Sequence, residues 1–269
     1  MFAFLGPNAA GKTTTIKLLT RLHYPTQGKV WILGRPNDQS AALSEVGYLP
    51  EQPRLYDYLT GREFLDFIGR IFCLKSKTRR ERIADLTEKV GLEGRMDQLI
   101  RGYSRGMLQR LGLAQAMLND PEVLILDEPM SNLDPIGRKD FRDLILDLKK
   151  GGKTIFFSSH ILSDAEMIAD RVAILKEGRL VNVGSIDDFT ETQIARVDIT
   201  FSVDQDQITK IKNAFNEVVV QNQKVMLTLE NDKMVPEFIR RVEHWGGSII
   251  SVIPHRKSLE DLFMDEVRR

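Results

Sequence analysis

Nine residues near the start of the chain, Gly6-Pro7-Asn8-Ala9-Ala10-Gly11-Lys12-Thr13-Thr14, restrict its fold more than any other stretch. They satisfy the pattern G-x-x-x-x-G-K-[ST] at every fixed position. The apolar run Phe2-Ala3-Phe4-Leu5 precedes them and the helix-like Thr15-Ile16-Lys17-Leu18-Leu19 follows. Strand, tight loop, then helix is the setting in which such a pattern seats an anion. Backbone N–H groups of the loop and first helical turn converge there, and the helix dipole adds partial positive charge. Lys12 has the reach to meet the outer phosphates of a nucleoside triphosphate, and the Thr13 hydroxyl suits Mg²⁺. The expected ligand is a nucleoside triphosphate, held in an α/β fold.

Downstream, strands and helices alternate, which predicts a mostly parallel sheet. The continuous apolar run Val123-Leu124-Ile125-Leu126 suits an inner strand covered on both faces. It delivers Asp127 and Glu128 to a strand's carboxyl end, where open α/β sheets place their ligands. Two adjacent acids there are costly without a cation or water. A strand over residues 46–49 ends in Pro50-Glu51-Gln52-Pro53, from which Gln52 could reach a metal. Another, over residues 154–157, ends in Ser158-Ser159-His160, and residues 172–175 and 179–183 complete the set. Residues 60–118 read as helical, with residues 75–82 a basic, solvated helix entry. Asp134 caps a further helix with Pro135 at its first position and Phe141, Leu144, Ile145 and Leu148 on its apolar stripe. Ser163 and Glu166 predict a capping box. Trp31, in a short strand over residues 29–33, is expected to pack inward.

Near Gly184 the pattern changes. Val197, Ile199, Phe201 and Val203 alternate with polar residues, as a strand with one wet face does. A helix with Ile208, Ile211 and Phe215 is expected next, then strands at 218–220 and 225–229. A helix carrying Val235, Phe238, Ile239, Val242 and Trp245 and a strand at 248–253 close a β-α-β-β-α-β order, the ferredoxin-like arrangement. A tail from Ser258, with Leu259, Leu262, Phe263 and Val267, reads as an amphipathic helix. The expected division is a triphosphate-binding domain over residues 1–184, its helical subdomain at about 60–118, and an α+β accessory domain over residues 185–269.

Composition weighs against several classes. Lys and Arg together number 38, as do Asp and Glu, so no overall field favours nucleic acid or an anionic membrane. Cys73, the single cysteine, rules out an intramolecular disulfide and fits a reducing compartment. Its apolar surroundings, residues 68–74, predict a buried and inert thiol. No apolar run approaches a membrane span.

Many triphosphate-binding proteins combine a P-loop with a strand-end Asp-Glu. The stretch Tyr103-Ser104-Arg105-Gly106-Met107-Leu108-Gln109-Arg110 is more specific, because it resembles the signature of ABC-transporter ATPases and, as there, precedes the Asp127 strand. Gln52, Ser131-Asn132-Leu133-Asp134 and His160 also look like named elements of that family, in its order. The resemblance covers about residues 1–184, and the C-terminal part looks like the extension on drug- and polymer-type ABC exporters. It implies a P-loop NTPase in which Gly6 to Thr14 cradle ATP, while Thr13, Gln52 and, through water, Asp127 hold Mg²⁺. Glu128 would polarise the attacking water and His160 would bridge to the γ-phosphate. Ser104, Gly106, Met107 and Asp134 would complete the ATP site, Ser104 and Gly106 acting in trans on ATP held by a second copy. The implied partners are a second copy and a separately encoded membrane permease, gripped around Gln52 and the helical region. That would put the protein in the cytoplasm, on the inner face of the membrane, with no nucleic-acid partner.

Alternatives stay open for several residues. Glu128 either activates water or merely orients Mg²⁺, and His160 either meets phosphate or caps a helix. Arg105 stands where the family more usually has a second glycine, and Ala9 where glycine is common. The family's antiparallel β-region and its adenine-stacking aromatic normally lie before the P-loop, which here begins at Gly6. Either the chain is truncated relative to the family, or ATP binding is weakened, by roughly 1 kcal/mol for the lost stacking. A non-transport ABC ATPase acting on ribosomes or DNA, and an idle nucleotide-binding module, are the rival functions.

Overall fold

The computed structural model describes residues 1–187, 194–204, 207–208, 211, 218–221, 224–230 and 232–256. The chain forms two compact units, Met1–Ile186 and Asp187–Arg269.

The first unit is built on a six-stranded sheet ordered β4-β5-β6-β1-β7-β8. Its strands are β1 (Phe2–Leu5), β4 (Val46–Leu49), β5 (Val123–Leu126), β6 (Thr154–Ser159), β7 (Arg171–Lys176) and β8 (Arg179–Ser185). All neighbours run parallel except β7 and β8, which form an antiparallel hairpin. The apolar runs read from the sequence fill the interior: Leu5, Leu124, Leu126, Ile155, Phe157, Val172 and Ile174 are fully buried. Burial of this kind is the main stabilising term, about 1.5–3 kcal/mol for each large aliphatic side chain.

Five longer helices join these strands: α1 (Lys12–Leu19), α3 (Gly61–Ile71), α4 (Ser76–Lys89), α5 (Arg105–Met117) and α6 (Pro135–Lys150). Two short ones, α2 (Ser40–Leu43) and α7 (Leu162–Ile168), lie between strands. Thr60 and Glu63 cap α3 reciprocally, the Thr60 hydroxyl accepting from the Glu63 amide and the Glu63 carboxylate accepting from the Thr60 amide. Asp134 caps α6 by accepting from the Gly137 amide at 2.6 Å. Helix α5 lies unusually close to β4, since a Cβ on Gly47 would sit 2.1 Å from the Ala116 carbonyl oxygen.

Three local expectations are corrected. Trp31 is 57% exposed, because its strand is only the two-residue β2 (Trp31–Ile32), paired with β3 (Arg35–Pro36) in a small separate hairpin. Cys73 is exposed. It holds the left-handed position just past α3, at φ 56°, where its amide donates to Arg70 and that of Leu74 to Gly69. That closing turn carries the thiol outward. Helix α7 starts at Leu162 with Ile161 at its N-cap, so Ser163 lies inside the helix and does not cap it.

The second unit is an antiparallel sheet ordered β10-β11-β9-β12, with β9 (Ile194–Ser202), β10 (Val218–Gln221), β11 (Lys224–Leu229) and β12 (Ser248–Arg256). Helix α8 (Val235–His244) lies between β11 and β12 in the chain. Alternation works as read: Val225, Leu227 and Leu229 are buried while Lys224, Met226 and Thr228 are exposed. The inner face packs Val197, Ile199 and Phe201 with Phe238 and Val242 of α8. The Phe201 and Phe238 rings meet edge to face, 5.5 Å between centroids. On the other face Asp198 accepts from the Thr228 hydroxyl at 2.8 Å and meets the His255 ring at 2.7 Å. Most of the helix expected around Ile208, Ile211 and Phe215, and the tail from Ser258, lie outside the described residues.

Candidate functional site: a phosphate cavity at the carboxyl ends of the strands

Strand β1 is central, bonded to β6 on one side and β7 on the other, and the phosphate loop leaves its carboxyl end. Gly6 is required there, since a Cβ would lie 2.6 Å from the Leu175 carbonyl oxygen of β7. Gly11, at φ 103°, takes the left-handed conformation that turns the chain into α1. Ala9 is also left-handed, at φ 64°, without the freedom of glycine. The Gly178 amide, in the β7–β8 turn, donates to Ala10 at 2.8 Å and clamps the loop from behind. No acidic side chain lies in the first turn of α1, so nothing there opposes an anion at its N-terminus.

Asn8, Ala9, Ala10, Gly11, Lys12, Thr13 and Thr14 line a cavity of about 560 Å³, together with Glu51, Glu128, Ser131, Asn132 and His160. Lys12 is buried; its Nζ donates to the Gly6 carbonyl at 2.7 Å and the Pro7 carbonyl at 3.2 Å. The same ammonium lies 3.2 Å from Glu128 Oε1. The other carboxylate oxygen of Glu128 accepts from the His160 amide at 3.3 Å and lies 2.8 Å from His160 Nδ1. A cation, a carboxylate and an imidazole from β6 and β5 ends and the phosphate loop thus meet in one cavity.

Asp127 does not line that cavity. It is 1% exposed, and its Oδ1 accepts from the Ser158 hydroxyl at 2.7 Å. Burial, and then the Asp127 charge, push the Tyr48 phenol up to about 12. Gln52 lines a neighbouring cavity of about 330 Å³ with Arg105, Leu108, Gln109 and Asn132, and Glu51 borders both. Ser104 caps α5, accepting from the Met107 amide at 3.3 Å, and Gly106 and Met107 form its first turn. Ser104, Gly106, Met107 and Asp134 are not among the residues around the phosphate cavity of their own chain. Gln109 ties α5 to the loop after Glu128, its amide donating to the Pro129 carbonyl at 3.0 Å.

Just beyond His160, Asp164 is buried between Arg138 and Arg142 of α6, at 3.8 and 3.6 Å. Burial pushes its carboxyl up, against the pull of Arg138, Arg142 and His160. Sequence reading passed over Ser158 and Glu51. The pair Ser158-Ser159 at a strand end was the available signal for the first, but its use needs the strand order.

Among the described residues no cluster of three His, Cys, Asp or Glu side chains could hold a metal alone. Thr13, which lines the cavity, and the buried Asp127 are instead hard-oxygen donors. That set fits Mg²⁺, which is usually held by one or two protein oxygens together with substrate phosphates and water. Among the described residues no helix is long and apolar enough to cross a membrane.

Comparison with known proteins agrees with this geometry. The ABC transporter family profile matches residues 1–131. An ABC transporter ATP-binding protein of Nostoc sp. is 44% identical over 274 aligned positions, covering 100% of this chain and 79% of the relative. The bacitracin transport ATP-binding protein BcrA of Enterococcus faecalis is 32% identical over 268, covering 98% and 86%. Among solved structures, an ATP-binding subunit of an ABC transporter superposes with a TM-score of 0.63 at 32% identity, covering 70% of this chain and 80% of that one. A dimeric ATP-binding cassette in a post-hydrolysis state, bound to ADP and Pi, gives 0.61 at 25% identity, covering 69% and 85%. The chain belongs to the ABC transporter family, as an ATP-binding and ATP-hydrolysing subunit.

Proposed function

We propose that this subunit drives a separately encoded membrane permease, an exporter, by closing as a homodimer over ATP and opening after hydrolysis. The observation that carries the reading is the meeting of Lys12, Glu128 and His160 around one cavity of about 560 Å³ at the ends of parallel strands. In this assignment the loop amides from Gly6 to Thr14 and the Lys12 ammonium bind the phosphates. Glu128 orients the attacking water and accepts its proton, while His160 holds the Glu128 carboxylate and meets the γ-phosphate. Phosphoryl transfer needs positioning and charge neutralisation more than covalent chemistry, and these groups supply both. Thr13 directly and Asp127 through water would hold Mg²⁺, which would neutralise phosphate charge when bound. Gln52 would join that set only by swinging out of the neighbouring cavity, where it now lies.

Ser104 and Gly106 are assigned to the ATP held by the partner copy, with Met107 and Asp134 beside them. Their distance from their own cavity supports a role in trans, and a structural neighbour is a dimer. The exposed aromatic group of Tyr56, Tyr58 and Phe67, following the Gln52 segment, supports a docking surface for the permease. The protein would then work in the cytoplasm, at the inner face of the membrane. A relative named for bacitracin transport supports a drug-like cargo.

The test is Glu128→Gln with Mg-ATP. Turnover should fall to background while a nucleotide-bound dimer accumulates on a sizing column. A variant that remains monomeric with ATP sinks the dimer mechanism, and one that keeps its turnover sinks the assignment of Glu128. Co-purification with a polytopic membrane protein supports the transport reading, and co-purification with ribosomes instead refutes it.

A further inference from the structure

Ser158 is fully buried at the carboxyl end of β6, where the register sets Leu126 beside Phe157 and so brings Ser158 against Asp127. Its Oγ has two partners. It accepts from the Glu128 amide at 2.8 Å and donates to Asp127 Oδ1 at 2.7 Å. The direction of this relay is fixed, because an amide can only donate and an ionised carboxylate can only accept. Glu128 itself sits at φ 45°, in the left-handed region. Side chains other than glycine are disfavoured there, so the conformation needs outside support. Its side chain then reaches Lys12 on one oxygen and His160 on the other.

We propose that Ser158 is a positioning residue for ATP hydrolysis: its hydroxyl holds the Glu128 backbone in the left-handed turn that aims the carboxylate at the phosphate cavity. The hydroxyl spans two adjacent acids with different tasks. Through Oγ–H it fixes the buried Asp127 carboxylate, and through its lone pair it fixes the next peptide unit. The aim of Glu128 therefore depends on a neighbouring strand and not only on its own loop. This inference rests on Glu128 as the group that orients water, and Glu128→Gln tests that assignment separately.

The experiment compares Ser158→Ala, Ser158→Thr and wild type in the full chain, with single-turnover hydrolysis, Mg-ATP and ADP affinity, and thermal unfolding measured together. Misplacing a catalytic group by about 1 Å costs up to roughly a hundredfold in rate, so Ser158→Ala should lower kcat by roughly tenfold or more. Nucleotide affinity, KM and the Mg²⁺ requirement should stay near wild type, and Ser158→Thr, which keeps the hydroxyl, should recover most of the rate. In the Glu128→Gln background Ser158→Ala should remove little further rate, because residues acting as a unit are not additive. A crystal structure of Ser158→Ala should show Glu128 leaving positive φ. Unchanged kcat in a folded Ser158→Ala protein overturns the proposal. So does a rate loss matched by an equal loss of nucleotide or Mg²⁺ affinity, which would assign Ser158 to Asp127 alone. If Ser158→Ala does not fold, Ser158→Cys, nearly isosteric and a poor hydrogen-bond partner, takes its place with the same outcomes.

Discussion

Replacing Lys12 by alanine should destabilise the nucleotide-free protein as well as abolish ATP binding. The Lys12 and Glu128 side chains are only 7% and 8% exposed and stand 3.2 Å apart. At an effective dielectric of about 20 their attraction is roughly 5 kcal/mol before desolvation is subtracted. Removing one partner of such a pair costs about 3–5 kcal/mol, because the other charge is left buried. Glu128 keeps the His160 amide and ring, which favours the lower end, near 3 kcal/mol. For a unit of this size that is a fall in Tm of roughly 6–12 °C. Calorimetry on protein stripped of nucleotide reads it. Glu128→Gln in the Lys12→Ala background should return at least about 1 kcal/mol, since the stranded charge is gone. A double variant as unstable as the sum of the two singles would refute the charge-burial argument. Saturating ATP, at about a hundred times Kd, should add about 2.7 kcal/mol to wild type and nothing to Lys12→Ala.

Gly47→Ala would drive a methyl group to 2.1 Å from the Ala116 carbonyl oxygen and should cost about 3 kcal/mol or prevent folding, read by urea unfolding. Cys73→Gly, at a left-handed helix terminus, should stabilise by about 0.5–1 kcal/mol in the same assay, since glycine relieves the backbone cost at the expense of chain entropy. Arg82 and then Lys153 hold the Asp120 carboxyl down to about 2 from its usual 3.8. A depressed acid contributes stability above its unfolded value, and that contribution is lost as pH falls from about 4 to about 2. The Asp120 side chain is 62% exposed, so screening limits the effect to about 1 kcal/mol or less. Asp120→Asn should therefore be slightly less stable at neutral pH and equal to wild type near pH 2, in paired acid-unfolding curves. Phe201→Ala should destabilise the second unit by about 3–5 kcal/mol, because the ring is fully buried against Phe238.

What could be read from the sequence was what neighbouring residues decide. The phosphate loop, the Asp134 cap, the apolar run of β5 and the alternation of β11 are each written within a few positions. What could not be read depends on distant partners or on a choice within one loop. Ser158 meets Asp127 across 31 positions of chain, and only the β5–β6 register brings them together. Glu51 and Gln52 are adjacent, and nothing local dictates that the first borders the phosphate cavity while the second does not. Cys73 was misread because an apolar neighbourhood suggested burial, whereas the turn that ends α3 decides where its thiol points.

The sheet order divides rigid duties from mobile ones. β1 is laced on both flanks, so the loop that leaves its end is anchored to a strand paired on both sides. β4 stands at the rim, laced to β5 alone among the described residues, and the segment carrying Glu51 and Gln52 hangs from its end. Strain from a filled or emptied cavity should therefore find less give at the centre than along that overhang, which leads to the exposed rings of Tyr56 and Tyr58.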